Sequence, residues 1–131
     1  MRTIKFRGKS ICEGRWIFGD LFRTDLDGEV AIQFYDEEDG WMTATVRTET
    51  VGQFTGVKDI NSCEIYEGDI VRVRITNNRF KKNPKFRNGV VTFCKYDGGW
   101  SNGCYHRFLP ERMEVIGNIH DNPELMKGGE K

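Results

Sequence analysis

The sequence predicts a mainly β protein with little helix. Three observations carry that reading. Apolar and polar residues alternate with a period of two, the spacing of a strand with one buried face. Turn residues recur about every eight to twelve positions. Helix-start signals are nearly absent.

The elements follow in chain order. Ile4 and Phe6 face one way while Lys5 and Arg7 face the other, which predicts a first strand. Trp16-Ile17-Phe18-Gly19-Asp20-Leu21-Phe22 is a denser apolar run, expected as a central strand that bends or bulges at Gly19. Asp25-Leu26-Asp27-Gly28 is turn chemistry. Val30, Ile32 and Phe34 alternate with Ala31 and Gln33, returning the chain as a hairpin. Asp36-Glu37-Glu38-Asp39-Gly40 is read as a solvated acidic tip rather than a cation loop, because calcium loops need ligands at alternate positions and a distal Glu. Thr43 to Thr50 is rich in β-branched residues and reads as strand.

The second half opens on Glu64-Ile65-Tyr66-Glu67-Gly68-Asp69. In Ile70-Val71-Arg72-Val73-Arg74-Ile75, Val71, Val73 and Ile75 share one face and Arg72 and Arg74 the other. Residues 89–96 predict another strand, Asp97-Gly98-Gly99 a turn, and Val115–Ile119 a closing strand. Asn122-Pro123-Glu124-Leu125-Met126, with Gly128 as a stop, predicts one or two helical turns. Seven or eight short strands of this kind suit a small barrel or a pair of barrels.

Composition narrows the function classes. The 131 residues carry 20 basic and 20 acidic side chains, 31% charged and 37% apolar, which suits a globular chain with a modest core. No apolar window reaches the roughly 18 to 20 residues of a membrane span. The N-terminus lacks the apolar stretch of a signal peptide, so a cytoplasmic location is expected. Cys12, Cys63, Cys94 and Cys104 are irregularly spaced. Cys94, Cys104, His106 and His120 form the best metal constellation, but its spacing is poor for chelation. The cysteines are therefore read as buried free thiols, with no metal and no cofactor expected.

Catalytic patterns are scarce. No P-loop, dinucleotide fingerprint, G-x-S-x-G or H-E-x-x-H occurs. Asp97, Ser101 and His106 can be assembled into a triad on paper, but the glycines around them make surface turns the better reading. A non-enzymatic protein is expected.

Several blocks together resemble the YopX-like family of phage and prophage proteins. These are Ile4-Lys5-Phe6-Arg7-Gly8-Lys9 with Gly14-Arg15-Trp16-Ile17-Phe18-Gly19-Asp20-Leu21; Val51-Gly52-Gln53-Phe54-Thr55-Gly56-Val57-Lys58-Asp59 running to Glu64-Ile65-Tyr66-Glu67-Gly68-Asp69-Ile70-Val71; and Val115-Ile116-Gly117-Asn118-Ile119-His120-Asp121-Asn122-Pro123-Glu124-Leu125. They are collinear and span most of the chain, leaving residues 76–114 unmatched. The resemblance implies a β-rich N-terminal part over 1–50 and an SH3-like barrel over 51–131, or one compact unit of both. It also implies phage or prophage origin in a bacterial host, and it carries over no site residue. The signature residues have a structural reading: Gly56 and Gly68 as turn positions, Asp59 and Asp69 accepting backbone N–H groups, and Gly117-Asn118 as a bend or bulge.

One constellation has a functional reading of its own. Between Ile70 and Tyr96 stand eight basic residues and no acidic one: Arg72, Arg74, Arg79, Lys81, Lys82, Lys85, Arg87 and Lys95. Phe80 and Phe86 lie among them. A cationic stripe with interleaved rings can hold phosphates and stack bases. Against that stands the reading of a soluble basic hairpin with both rings packed on the core. Trp16, Trp41 and Trp100 suit an interface or a small core alike. The primary expectation is a protein-interaction or assembly module, with an unknown protein partner or as a homo-oligomer. The alternative is a nucleic-acid-binding module using residues 70–96.

Overall fold

The computed structural model describes residues 2–24, 28–75, 85–104 and 107–126. Among them the chain is mainly β, with helix limited to three short 3-10 turns. It divides into two compact units, Met1–Gly56 and Val57–Lys131.

The first unit is a meander. Strands β1 (Phe6–Lys9), β2 (Trp16–Arg23), β3 (Val30–Asp36) and β4 (Gly40–Val46) pair in sequence, and β5 (Gly52–Lys58), which runs across the unit boundary, pairs with the other side of β1. The break expected at Gly19 is real. β1 pairs with β2 only as far as Gly19, and β3 pairs from Asp20 onward. A Cβ at Gly19 would overlap the Gln33 carbonyl, so only glycine lets the strands approach this closely there. The sheet curls until its far strand meets its near one. The Ile11 N–H donates to the Thr45 carbonyl at 3.0 Å and the Arg47 N–H to the Lys9 carbonyl at 2.8 Å. Inside the curl Ile17, Ile32 and Val46 are buried, with Phe6, Leu21, Phe34 and Ala44 packed on them. Burying each large aliphatic side chain there contributes roughly 1.5–3 kcal/mol.

The second unit holds β6 (Glu64–Tyr66), β7 (Asp69–Arg74), β8 (Phe86–Val90), β9 (Thr92–Cys94), β10 (Gly99–Ser101) and β11 (Met113–Asn118). β7 is the centre of a three-stranded antiparallel sheet ordered β11-β7-β8, and β9 and β10 form a hairpin. The strand expected over 89–96 is two strands broken at Val91. Val91 is fully buried, its N–H donates to the Asp69 carbonyl and its carbonyl accepts the Gly68 N–H, so it leaves the hairpin to pin the turn before β7. Ile65, Val71, Val73, Val91, Cys104 and Met113 form the core. No strand pairing among the described residues closes these sheets into a barrel.

The signature aspartates organise this unit. Asp59 is 7% exposed. Its Oδ1 accepts the N–H groups of Asn61 and Cys63, both at 2.8 Å, and its Oδ2 accepts that of Val115 at 2.8 Å, tying the 59–63 turn to β11. Asp69 Oδ2 accepts the Tyr66 N–H at 2.7 Å across a turn in which Gly68 holds φ +91°, a left-handed conformation that favours glycine. Gly117 follows a register shift in the β11–β7 pairing, as the bulge reading expects. The helical turns expected from Asn122 amount to one 3-10 turn, Pro123–Met126, and the Asn122 side chain accepts the Asn118 N–H. Of the turn expected at Asp25–Gly28, residues 25–27 lie outside the described residues.

Asp59→Ala would strand three backbone donors, and each such group costs about 1–3 kcal/mol when water cannot replace the acceptor. These donors are partly buried, so the lower end applies. We expect a loss of about 3 kcal/mol, read as a lower urea midpoint at constant m-value, with a smaller loss for Asp59→Asn.

Candidate functional site

Each unit carries an open groove. In the second unit the groove lies on the sheet face opposite the core. Antiparallel register sets Arg72 between Glu114 on β11 and Asn88 on β8, and sets Arg74 opposite Phe86. The Arg72 guanidinium sits 3.8 Å from the centre of the Phe86 ring, within cation–π distance. Its Nη1 is 3.8 Å from the Glu114 carboxylate, whose other oxygen accepts the Asn61 side-chain N–H at 3.2 Å. Arg72, Arg74, Phe86 and Glu114, with Ile60, Glu111, Arg112 and Met113, line a groove of about 320 Å³.

Among the described residues, the basic stripe expected over residues 70–96 is therefore only partly assembled. Arg72, Arg74 and Phe86 line the groove. Arg87 falls in register with Val73, on the core side of the sheet, and its carbonyl accepts the Cys104 thiol at 3.9 Å. Lys85 precedes β8 and accepts the Ile75 N–H through its carbonyl. Lys95 is in the β9–β10 turn beside the exposed Tyr96. Arg79, Phe80, Lys81 and Lys82 lie outside the described residues. Two carboxylates that sequence distance had hidden, Glu111 and Glu114, enter the groove with Arg112. The result is mixed charge, with the Phe86 ring facing an arginine of the same chain.

In the first unit the groove is aromatic. β2 places Trp16 and Phe18 on its outer face, alternating with buried Ile17. The β3–β4 hairpin pairs Tyr35 with Trp41 across the acidic turn. Their rings meet edge to face, centroids 5.4 Å apart, yet Tyr35 remains 61% and Trp41 66% exposed. Together with Asp20, Gln33 and Arg15 they bound about 400 Å³. The turn of the hairpin is braced from within: Asp36 Oδ1 accepts the Glu38 N–H at 2.7 Å and the Asp39 N–H at 3.1 Å. At the other end of the groove the Arg7 guanidinium and the Lys9 ammonium stand over the Trp16 ring, at 4.6 and 5.6 Å. The signal for this face was available in the sequence. Once Asp36 and Gly40 close the turn, Tyr35 and Trp41 must be cross-strand partners.

Other candidate groups resolve locally. Asp97 accepts the Gly99 N–H and Ser101 the Gly103 N–H, each within its own turn, and His106 lies outside the described residues. None of the four cysteines is in a disulfide. The expectation that they are buried is corrected for Cys12 and Cys63, which are exposed, and for Cys94, which is half-buried. Cys104 is buried, and burial pushes its thiol up from the ordinary value while Arg87 pulls the other way. No helix among the described residues is long and apolar enough to cross a membrane.

Fold and surface together define a mainly β protein of two small units whose open features are shallow, sheet-borne grooves. The chain belongs to the YopX protein family, whose model matches residues 5–127. No curated protein matches it. Among solved structures it is similar to the crystal structure of protein EF1440 from Enterococcus faecalis, with a TM-score of 0.58 over 97% of this chain and 100% of that one, at 20% identity. That likeness is one of fold.

The thiolate is the reactive form of cysteine, so a raised pKa and burial both slow Cys104. Under native conditions at mildly alkaline pH, a thiol reagent should label Cys12 and Cys63 first. Cys104 should react only after denaturant is added, as peptide mass mapping would read.

Proposed function

We propose that the protein is a non-enzymatic binding module that engages a protein, either a distinct partner or a second copy of itself, through the aromatic face of its first unit. The observation that carries this is the Tyr35–Trp41 pair: two large rings held outward on a hairpin with a braced turn beside Trp16 and Phe18. Aromatic residues are enriched where partners dock. A large ring presents about 150–250 Å². Covering what these two expose would contribute roughly 5 kcal/mol at about 25 cal/mol per Å². Association itself costs about 4 kcal/mol or more, so the flanking residues must add to the contact. The family resemblance supports a setting in phage or prophage life, in the cytoplasm of the bacterial host cell.

A photo-crosslinking amino acid at position 37, beside the pair, tests the reading in host cells, with sedimentation of the purified protein alongside. We expect a crosslinked protein or a self-associated species that the Tyr35→Ala/Trp41→Ala variant loses. A monomer that crosslinks to no protein from this position would end the reading.

The second reading, nucleic-acid binding, has Arg72 and Arg74 on one sheet face beside Phe86 in its favour. Glu111 and Glu114 in the same groove weigh against it, since they oppose a polyanion where counterion release would have to drive binding. We expect no retained complex with single- or double-stranded DNA or RNA at about 10 µM protein and physiological salt. Salt-sensitive binding abolished by Arg72→Ala/Arg74→Ala would favour the second reading instead.

A further inference from the structure

The aromatic groove has two electrically different ends. At the Trp16 end the chain supplies its own cations, Arg7 and Lys9, over the ring. At the Tyr35–Trp41 end, among the described residues, no cation stands over either ring. Carboxylates surround that end instead: Asp36, Glu37, Glu38 and Asp39 in the adjoining turn, and Asp20 in the groove lining. Among the described residues, none of Asp20, Glu37, Glu38 or Asp39 has an ion pair. The cation in the groove lining, Arg15, is held by Glu13 at 2.7 Å, so its charge is largely compensated.

We infer that this groove takes a cationic segment of a protein partner, an arginine- or lysine-bearing stretch whose charged head lies over Trp41 and Tyr35 against the acidic turn. The inference rests on the protein-binding reading and names the chemistry of what is bound. Trp and Tyr faces attract a guanidinium or ammonium through the ring quadrupole, and the attraction grows as water is excluded. The carboxylates supply the complementary field, which steers encounter and fixes orientation. The same face disfavours nucleic acid. Its rings could stack bases, but the phosphates would then run past the uncompensated acidic turn.

Three probes separate the possibilities on the full chain by Trp fluorescence and calorimetry: a short arginine-rich synthetic peptide, the same peptide with citrulline at each arginine, and an oligothymidylate. The arginine peptide should bind and the other two should not. Tyr35→Ala/Trp41→Ala should weaken it about tenfold, as should Glu37→Gln/Glu38→Gln/Asp39→Asn, while Trp41→Phe should retain most of the binding. All these positions are exposed, so an unchanged thermal midpoint serves as the folding control. If the charge variant weakens binding and the ring variant does not, the turn is a nonspecific polyanion and the inference falls. Preference for the citrulline peptide or the oligothymidylate overturns it too. A protein crosslinked at this face in cells, with no affinity for the arginine peptide, would leave the protein-binding reading standing and this inference refuted.

Discussion

The Asp59 carboxylate is the contact on which the second unit's geometry turns. It collects three backbone N–H groups from two segments far apart in sequence, Asn61 and Cys63 on one side and Val115 on the other. Ile60 then donates its own N–H to the Met113 carbonyl, and the Asn61 side chain reaches Glu114. One wall of the groove, Ile60, Met113 and Glu114, is therefore set by a residue that does not line it. A carboxylate suits this role because ionised acceptors make the stronger hydrogen bonds and one group can receive several donors. Short strands with few ladder bonds need such a clip more than long ones do.

The same economy of length shapes the surfaces. The strands run to only three to eight residues, and those that carry the cores bury one face and turn the other toward solvent. What stands on the outer face then decides what the protein can bind. On β7 the outer residues are arginines, but Glu114 on β11 and Glu111 in the turn before it bring carboxylates, and a groove of mixed charge results. On β2 and the β3–β4 hairpin the outer residues are rings, and the adjacent turn is acidic. Of the triad that the sequence allows on paper, Asp97 and Ser101 accept hydrogen bonds from backbone N–H groups of their own turns.

Much of the fold was legible because it depends on local rules. The alternation around Ile17 and through Val71–Val73, the break at Gly19, the left-handed Gly68 and the acceptor roles of Asp59 and Asp69 all follow from residue type and spacing. What was not legible depends on long-range pairing. Nothing near residue 91 announces that Val91 will pair with Gly68 and Asp69 rather than continue its strand. The return of β4 to the end of β1 is likewise a product of accumulated curl. The mixed charge of the second groove is likewise a product of long-range pairing. Eight cations without an acid between them suggest a stripe, yet in space Glu111 and Glu114 arrive from about forty residues away, and Arg87 leaves by the other face.

The location of the exposed rings matters as much as their identity. Tyr35 and Trp41 are cross-strand partners on a hairpin whose turn is fixed by Asp36, and their edge-to-face contact restricts both side chains before anything binds. A loop-borne pair would lose backbone and rotamer freedom on docking, at about 0.5–1.5 kcal/mol per immobilised side chain. Here most of that ordering is already present in the free protein. A modest contact area can then yield useful affinity, and the hairpin can present its rings and its negative charge in one fixed orientation. That pre-organisation is what favours the first unit's hairpin as the proposed docking surface.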